Sequence, residues 1–121
     1  MKDEFGMRDR RNLDRAKINY PATYTRYDKW GSPCDQKIAK VTDVSLRGVS
    51  LQSSFRVEPG EILDVTLALG DKLVSFTGKA VHARLSEEHG FELGVSIEDI
   101  EDEQRATLTR FLCQLPNLVG D

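Results

Sequence analysis

Long apolar runs are missing from this 121-residue sequence. No stretch approaches the roughly 20 consecutive apolar residues that a membrane-spanning helix needs. The first fifteen residues also lack the apolar segment that secretory signals carry. We therefore expect no membrane insertion and a cytoplasmic location.

Cysteine and histidine are scarce, with two residues of each. Cys34 and Cys113 lie far apart in the sequence, which excludes a disulfide framework and favours two free thiols. His82 and His89 have no partner at metal-site spacing and are interpreted as strand or turn residues. The sequence also lacks a nucleophile elbow around Ser45 and a glycine-rich phosphate loop. These absences predict a protein that is not an enzyme and that has no metal or cofactor.

Basic residues do not dominate the chain, whose net charge is -3 and whose isoelectric point is about 5.4. This balance argues against a general nucleic-acid-binding protein, because such proteins are usually basic. The charge is nevertheless uneven. Residues 8–17 carry five basic and two acidic side chains, a net +3, which leaves -6 for the other 111 residues. This asymmetry suggests a compact anionic ligand bound by the N-terminal segment.

Alternating apolar and polar residues predict strands through most of the chain. The first strand is expected from Ile18, with Pro21 at an edge or a bulge. A hairpin loop at 28–36 and a second strand at about 37–44 follow. A sharp turn at 45–48 then leads into a short third strand. Trp30 in the hairpin loop is expected to pack over the barrel, with a stacking surface as the alternative.

Three further strands are predicted after the turn at Pro59–Gly60. The fourth covers 61–69 and places all of its leucines on one face. A tight turn at Gly70–Asp71 leads to a fifth strand at about 72–84, in which Gly78 marks a bulge. After a turn at 87–90, the segment GFELGVSI forms the sixth. Six short strands joined by turns are typical of an antiparallel barrel or sandwich.

The C-terminal segment has a helical period instead. Four apolar residues recur at the spacing of one helix face: Leu108, Phe111, Leu112 and Leu115. We expect an amphipathic helix with Asp99 as its cap and Pro116 as its stop. The helix should pack on the barrel, with Leu108, Phe111 and Leu112 buried.

The first of two motifs that carry candidate chemistry is RNLDR, which places Arg11 and Arg15 four residues apart, directly after Arg10. A solvated basic segment is the plain interpretation of this motif. A guanidinium can also fork onto the O6/N7 edge of guanine or onto phosphate oxygens, and its plane can stack on a purine. The motif therefore fits an anionic purine nucleotide.

The second motif is DVSLRG, which contains Asp43, Ser45 and Gly48. An ordinary turn is the plain interpretation, with Asp43 and Ser45 accepting backbone amides and Gly48 adopting a positive φ. The functional interpretation uses the same atoms. The Asp43 carboxylate can accept the N1 and N2 donors of guanine, Ser45 can donate to a phosphate, and Gly48 lets backbone approach a ligand closely.

Together, the two motifs resemble the paired signature of the PilZ family, RxxxR followed about thirty residues later by [D/N]xSxxG. The resemblance covers about Arg10 to Leu115 and includes the strand order, the late GFELGVSI segment and the closing helix. It implies a mainly β fold, a six-stranded antiparallel β-barrel with a C-terminal α-helix packed on it. The domain is expected at 10–115, with a flexible tail at 1–9 and a second tail at 116–121.

The resemblance also implies the ligand, cyclic di-GMP. The implied ligand-binding residues are Arg10, Arg11, Arg15, Asp43, Ser45 and Gly48. An arginine at position 10 implies a stacked pair of ligand molecules, hence two per chain. Binding is expected to order the N-terminal arginine arm and to signal to an unidentified downstream protein, since the chain has no room for an output domain.

The implied processes are motility, pilus function, exopolysaccharide production or biofilm control. The alternatives are a degenerate family member that binds a protein without nucleotide, an enzyme, and a small nucleic-acid-binding barrel. The intact motif pair disfavours the first of these. No catalytic constellation supports the second, and few exposed aromatic residues disfavour the third.

Overall fold

Six antiparallel strands and one helix make up the part of the chain that the structure, a computed structural model, describes: residues 16–86 and 90–115. The strands are β1 (Ala16–Tyr27), β2 (Pro33–Val44), β3 (Gly48–Ser53), β4 (Ile62–Leu69), β5 (Lys72–Ser86) and β6 (Gly90–Asp99). The helix α1 spans Asp102–Cys113. The predicted tails at 1–9 and 116–121, Pro116 and part of the predicted turn at 87–90 lie outside the described residues.

The strands form a closed barrel in the order β1-β2-β3-β6-β5-β4, with β4 pairing back onto β1. Every neighbouring pair is antiparallel. Four of these contacts are hairpins between consecutive strands, whereas β3–β6 and β4–β1 join strands that are distant in sequence. The predicted six-stranded antiparallel barrel with a C-terminal helix is therefore confirmed.

The barrel interior is built from the alternating apolar residues of each strand. In β4 the inward set is complete, since Leu63, Val65, Leu67 and Leu69 are all buried and the intervening residues are not. Fully burying one such side chain contributes about 1.5–3 kcal/mol. The predicted face of this strand is confirmed.

One polar pair lies among these apolar side chains. The Tyr24 hydroxyl and the Ser53 Oγ are 2.7 Å apart and share a buried hydrogen bond. Ser53 Oγ also accepts the backbone N–H of Phe55 at 3.1 Å. Burial raises the pKa of Tyr24, an effect that its hydrogen bond with Ser53 partly opposes. The pair is satisfied, so it ties β1 to the end of β3 without leaving an unpaired polar group in the core.

Two of the irregularities in the ladders lie beside a glycine or a proline. The β5–β6 register shifts between Thr77 and Gly78, as predicted for a bulge at Gly78. In β1 the register against β2 shifts between Lys17 and Tyr20, directly before Pro21. The pairing of β1 with β4 starts only at Ala22, after Pro21, so that ladder does not require an N–H from the proline.

The hairpin loop between β1 and β2 is shorter than predicted, because β2 begins at Pro33 rather than near residue 37. Asp28 closes the loop: its Oδ1 accepts the backbone N–H groups of Trp30 and Ser32, each at 2.9 Å. The indole of Trp30 remains 78% exposed, so the expectation that it packs over the barrel is wrong. Its ring lies instead below the Lys29 ammonium, 4.8 Å from the ring centroid.

The helix differs from the prediction at its start. Asp99 does not cap it, because Asp99 still pairs with Thr77 as the last residue of β6. Glu101 occupies the cap position and makes no side-chain capping hydrogen bond. No helix in the described residues is long and apolar enough to span a membrane.

The inner face of α1 is formed by Leu108 and Leu112, which are each 1% exposed, and continues into the buried Leu115. Phe111 is only partly buried, so the expectation of full burial is wrong for this residue. Its ring meets the Tyr20 ring edge-on, with the centroids 5.9 Å apart. Tyr20 is itself only partly buried, so this contact leaves both rings accessible on one side.

Truncation of Leu108 should therefore strongly lower the free energy of unfolding. Leu108→Ala removes a fully buried side chain and should lower the free energy of unfolding by about 2–5 kcal/mol. Leu73→Ala is the matched control, because Leu73 is 65% exposed and its truncation should stay within about 0.5 kcal/mol. Urea unfolding measures both, and equal midpoints would show that the helix does not stabilise the barrel.

Candidate functional site

A surface pocket of about 660 Å³ opens beside the turn between β2 and β3. It is lined by six residues between Asp43 and Ser50, by Val81 and His82 of β5, and by residues 94–96 of β6. Four of the six residues of the second motif therefore border one concave surface: Asp43, Ser45, Arg47 and Gly48. The described residues contain no group of three or more side chains that could hold a metal ion.

The strand register places the middle of the pocket on one row across the barrel. Lys17 of β1 lies opposite Asp43 of β2, and Asp43 lies opposite Ser50 of β3. Ser50 in turn pairs with Gly94 of β6, and Gly94 pairs with His82 of β5. Asp43 and Gly94, which are 51 positions apart in sequence, therefore line one surface.

Asp43 supplies the carboxylate of this row. Its side chain is 17% exposed, and Lys17 Nζ lies 3.8 Å from its Oδ2. The Lys17 side chain is 82% exposed, so this ion pair is held loosely and contributes at most about 1 kcal/mol. A carboxylate that is largely shielded from water makes stronger hydrogen bonds to a ligand than an exposed one.

Ser45 organises the turn that follows. Its Oγ accepts the backbone N–H groups of Arg47 and Gly48, each at 3.1 Å, and its own N–H donates to the Gly48 carbonyl at 2.9 Å. The Arg47 carbonyl accepts the N–H of Ile97 at 2.8 Å, which fastens the turn to β6. The Ser45 hydroxyl proton has only a long contact, 3.3 Å to the Gly48 carbonyl. The oxygen thus shapes the turn, as the plain interpretation holds, and the proton can still be donated to a ligand.

Gly48 is required for a different reason from the one expected of an ordinary turn. Its φ is not positive, so that part of the plain interpretation is wrong. A Cβ at this position would lie 2.6 Å from the Val95 carbonyl oxygen, inside the β6 backbone. Glycine is needed here because β3 and β6 approach closely where their pairing begins.

The arginines of the first motif, Arg10, Arg11 and Arg15, lie outside the described residues. The structure does describe Ala16, the residue at which their segment joins the barrel. Ala16, which follows Arg15, pairs with Val44, and both lie at the end of the ladder beside the second motif. The segment that carries the first motif therefore enters β1 at the end of the β1–β2 ladder where the second motif begins.

Several lining residues were not predicted from the sequence: Arg47, Ser50, Val81, His82, Gly94 and Ser96. Arg47 lies inside the second motif, and its exposed guanidinium adds a positive charge at the rim. Its position within the motif could have identified it. The others could not be found, because their proximity depends on the pairing of β6 with β3 and of β5 with β6.

Comparison with known proteins agrees with this geometry. The family model described as PilZ domain matches residues 9–114. A search of curated proteins found no sequence match. The solved structure of the Bacillus subtilis inhibitor of motility (MotI/DgrA) is similar at 8% identity, with a TM-score of 0.69, over 87% of this chain and 50% of that one.

Two Escherichia coli structures are also similar. YcgR in complex with c-di-GMP has 12% identity and a TM-score of 0.67, over 87% of this chain and 45% of YcgR. The PilZ domain of YcgR with c-di-GMP has 10% identity and a TM-score of 0.57, over 85% of this chain and 92% of the domain. This chain thus spans about half the length of the first two proteins, and at these identities the likeness shows the fold. The motifs, the barrel and the family model agree, and the chain belongs to the PilZ domain family.

Proposed function

We propose that this chain is a non-enzymatic receptor for cyclic di-GMP that binds the nucleotide in the pocket beside the β2–β3 turn. The observation that carries the proposal is the position of the second motif, which lines a pocket next to the strand that the first motif enters. Family membership supports it, and two similar structures were solved with this nucleotide bound.

Each motif residue has a role that its chemistry supports. Asp43 accepts the N1 and N2 donors of a guanine, and the Ser45 hydroxyl donates to a phosphate. The close β3–β6 approach at Gly48 holds this turn in place. Arg10, Arg11 and Arg15 supply guanidinium groups for phosphate forks, for guanine edges and for stacking.

The signal in this proposal is the ordering of the N-terminal arm. Residues 8–17 carry a net charge of +3, so their basic side chains repel one another until an anion neutralises them. Binding orders the arm against the barrel, and a downstream protein reads the ordered state. We propose that this partner acts in motility, pilus function, exopolysaccharide production or biofilm control. The similar Bacillus protein is named as an inhibitor of motility.

Calorimetric titration with cyclic di-GMP tests the proposal, and the motif variants locate the site. Asp43→Ala and Arg15→Ala should each weaken affinity at least tenfold, because losing one desolvated charged contact costs about 2–5 kcal/mol. Asp35→Ala is the control for the first variant, since Asp35 is exposed near the other end of the same strand. Arg56→Ala, an exposed residue paired with Glu58, is the control for the second.

Unaltered affinity in both motif variants would show that the ligand binds elsewhere. A wild-type protein that does not bind cyclic di-GMP at all would instead identify a family member that has kept the fold and lost the ligand.

Arg10 should decide the stoichiometry. We expect two cyclic di-GMP molecules per chain, and Arg10→Leu should reduce the number to one by removing a guanidinium that stacks on the second molecule. Arg8→Leu is the control, because it removes the same charge from the same segment without touching the motif. Native mass spectrometry counts the bound molecules, and a single ligand on the wild-type chain would contradict this prediction.

Hydrogen exchange tests the ordering of the arm. Amides of residues 8–17 should exchange more slowly with the ligand than without it, since the ligand orders the segment. Strand β4, whose inward-facing residues are buried and which does not line the pocket, provides an internal reference. Equal protection of residues 8–17 in both states would place the switch elsewhere in the molecule.

A further inference from the structure

A bulge in β5 turns two consecutive residues towards the nucleotide pocket. Ala80 pairs with Val95 and His82 pairs with Gly94, so Val81 is an extra residue in β5 that has no partner of its own in β6. As a result, Val81 and His82 are both exposed, which breaks the alternation of the strand. Both side chains line the pocket.

Gly94 determines where the His82 ring lies. A Cβ at position 94 would be 2.7 Å from both Cδ2 and Cε1 of the ring, and closer still to Nε2. The imidazole therefore occupies the space that a side chain on β6 would fill, on the same row as Asp43 and Ser50. Only glycine leaves this space open, so Gly94 is a positioning residue for the ring.

The ring has no competing partner in the part of the chain described. Within residues 16–86 and 90–115 it forms no ion pair with a carboxylate. Charged groups on the elements around it include Asp43 of β2, Arg47 of the turn, Arg84 and Lys79 of β5, and Glu61 before β4. On β6 they include Glu92 and Glu98, and the Glu98 carboxylate accepts a hydrogen bond from Ser96 Oγ. Glu92 pairs with Arg84, and Glu61 pairs with Arg26. Carboxylates and guanidinium groups do not ordinarily change charge between pH 6 and pH 8, whereas an imidazole does.

We propose that His82, positioned by Gly94, is a further ligand-contact residue and makes nucleotide affinity increase as the pH falls from about 8 to 6. The inference rests on the proposed function and adds a pH response to the same site. A neutral imidazole offers a flat ring to a guanine. A protonated imidazole adds a positive charge and a second N–H donor for a phosphate or for the O6/N7 edge. The anionic ligand favours the protonated form, so binding takes up a proton.

Titration calorimetry with cyclic di-GMP across this pH range provides the test. One added charge about 5 Å from a phosphate in water-like surroundings is worth roughly a fourfold change in affinity. Wild-type affinity should therefore rise by up to about fourfold from pH 8 to pH 6. At pH 7, the binding heat should depend on the ionisation enthalpy of the buffer, because a proton is taken up.

Three variants distinguish the contribution of the His82 ring to the pH dependence of binding from that of other groups. His82→Phe keeps a flat ring that cannot be protonated, so binding should persist with a flat pH profile and no proton uptake. Gly94→Ala should displace the imidazole and also flatten the profile. The three atoms nearest to its Cβ all belong to the His82 side chain, which can move away, so the barrel should fold normally. His89→Gln, which removes the only other histidine, is the control and should keep the wild-type profile.

A pH profile and proton uptake that persist in His82→Phe, or that disappear in His89→Gln, would overturn the proposal. Wild-type binding without any pH dependence would overturn it too, while leaving the receptor function intact. Failure of the wild-type protein to bind cyclic di-GMP at any pH would instead refute the proposed function itself.

Discussion

The close backbone contact between β3 and β6 is the constraint on which the rest of the site depends. Gly48 approaches the Val95 carbonyl so closely that no other residue fits without moving β6. This contact starts the β3–β6 ladder, one of the two pairings that join strands distant in sequence. The closed barrel requires that ladder together with the β4–β1 pairing, and residues of both β3 and β6 line the pocket. Closure of the fold and formation of the site therefore have the same physical origin.

The turn before Gly48 shows how one short segment serves both structure and recognition. Ser45 holds two amides of the turn with its oxygen, and Arg47 ties the turn to β6 with its carbonyl. These bonds leave the Arg47 guanidinium and the Ser45 hydroxyl proton on the pocket side. In the proposed function, these groups contact the ligand from a turn that is already hydrogen-bonded, which reduces the entropy lost on binding. The plain and the functional interpretations of the motif are consequently not alternatives.

The two sides of the proposed site are built from different kinds of segment. The barrel side consists of paired strands over a buried core, in which the Tyr24–Ser53 hydrogen bond links β1 to the end of β3. The arginines proposed for the other side belong to a basic segment that precedes β1. In the proposed receptor, the paired strands of the barrel select the ligand, and the basic segment contributes the arginines whose ordering a partner reads.

The sequence by itself determined the local properties of this protein. Its alternating residues identified six strands, the inward face of β4 and the apolar face of the helix, because side-chain periodicity depends only on neighbouring residues. The two motifs identified the family for the same reason, since each is a short contiguous pattern.

Only the tertiary structure decided what depends on pairs of distant segments. Periodicity shows which face of a strand is apolar but not which strand lies beside it, so the β3–β6 and β4–β1 pairings could not be predicted. The β5 bulge that turns Val81 and His82 outwards is likewise a property of two strands together. The predictions of Asp99 as a helix cap and of Phe111 as a buried residue were wrong for the same reason. Asp99 is held in a ladder with Thr77, and the exposure of Phe111 is set by where the helix lies on the barrel.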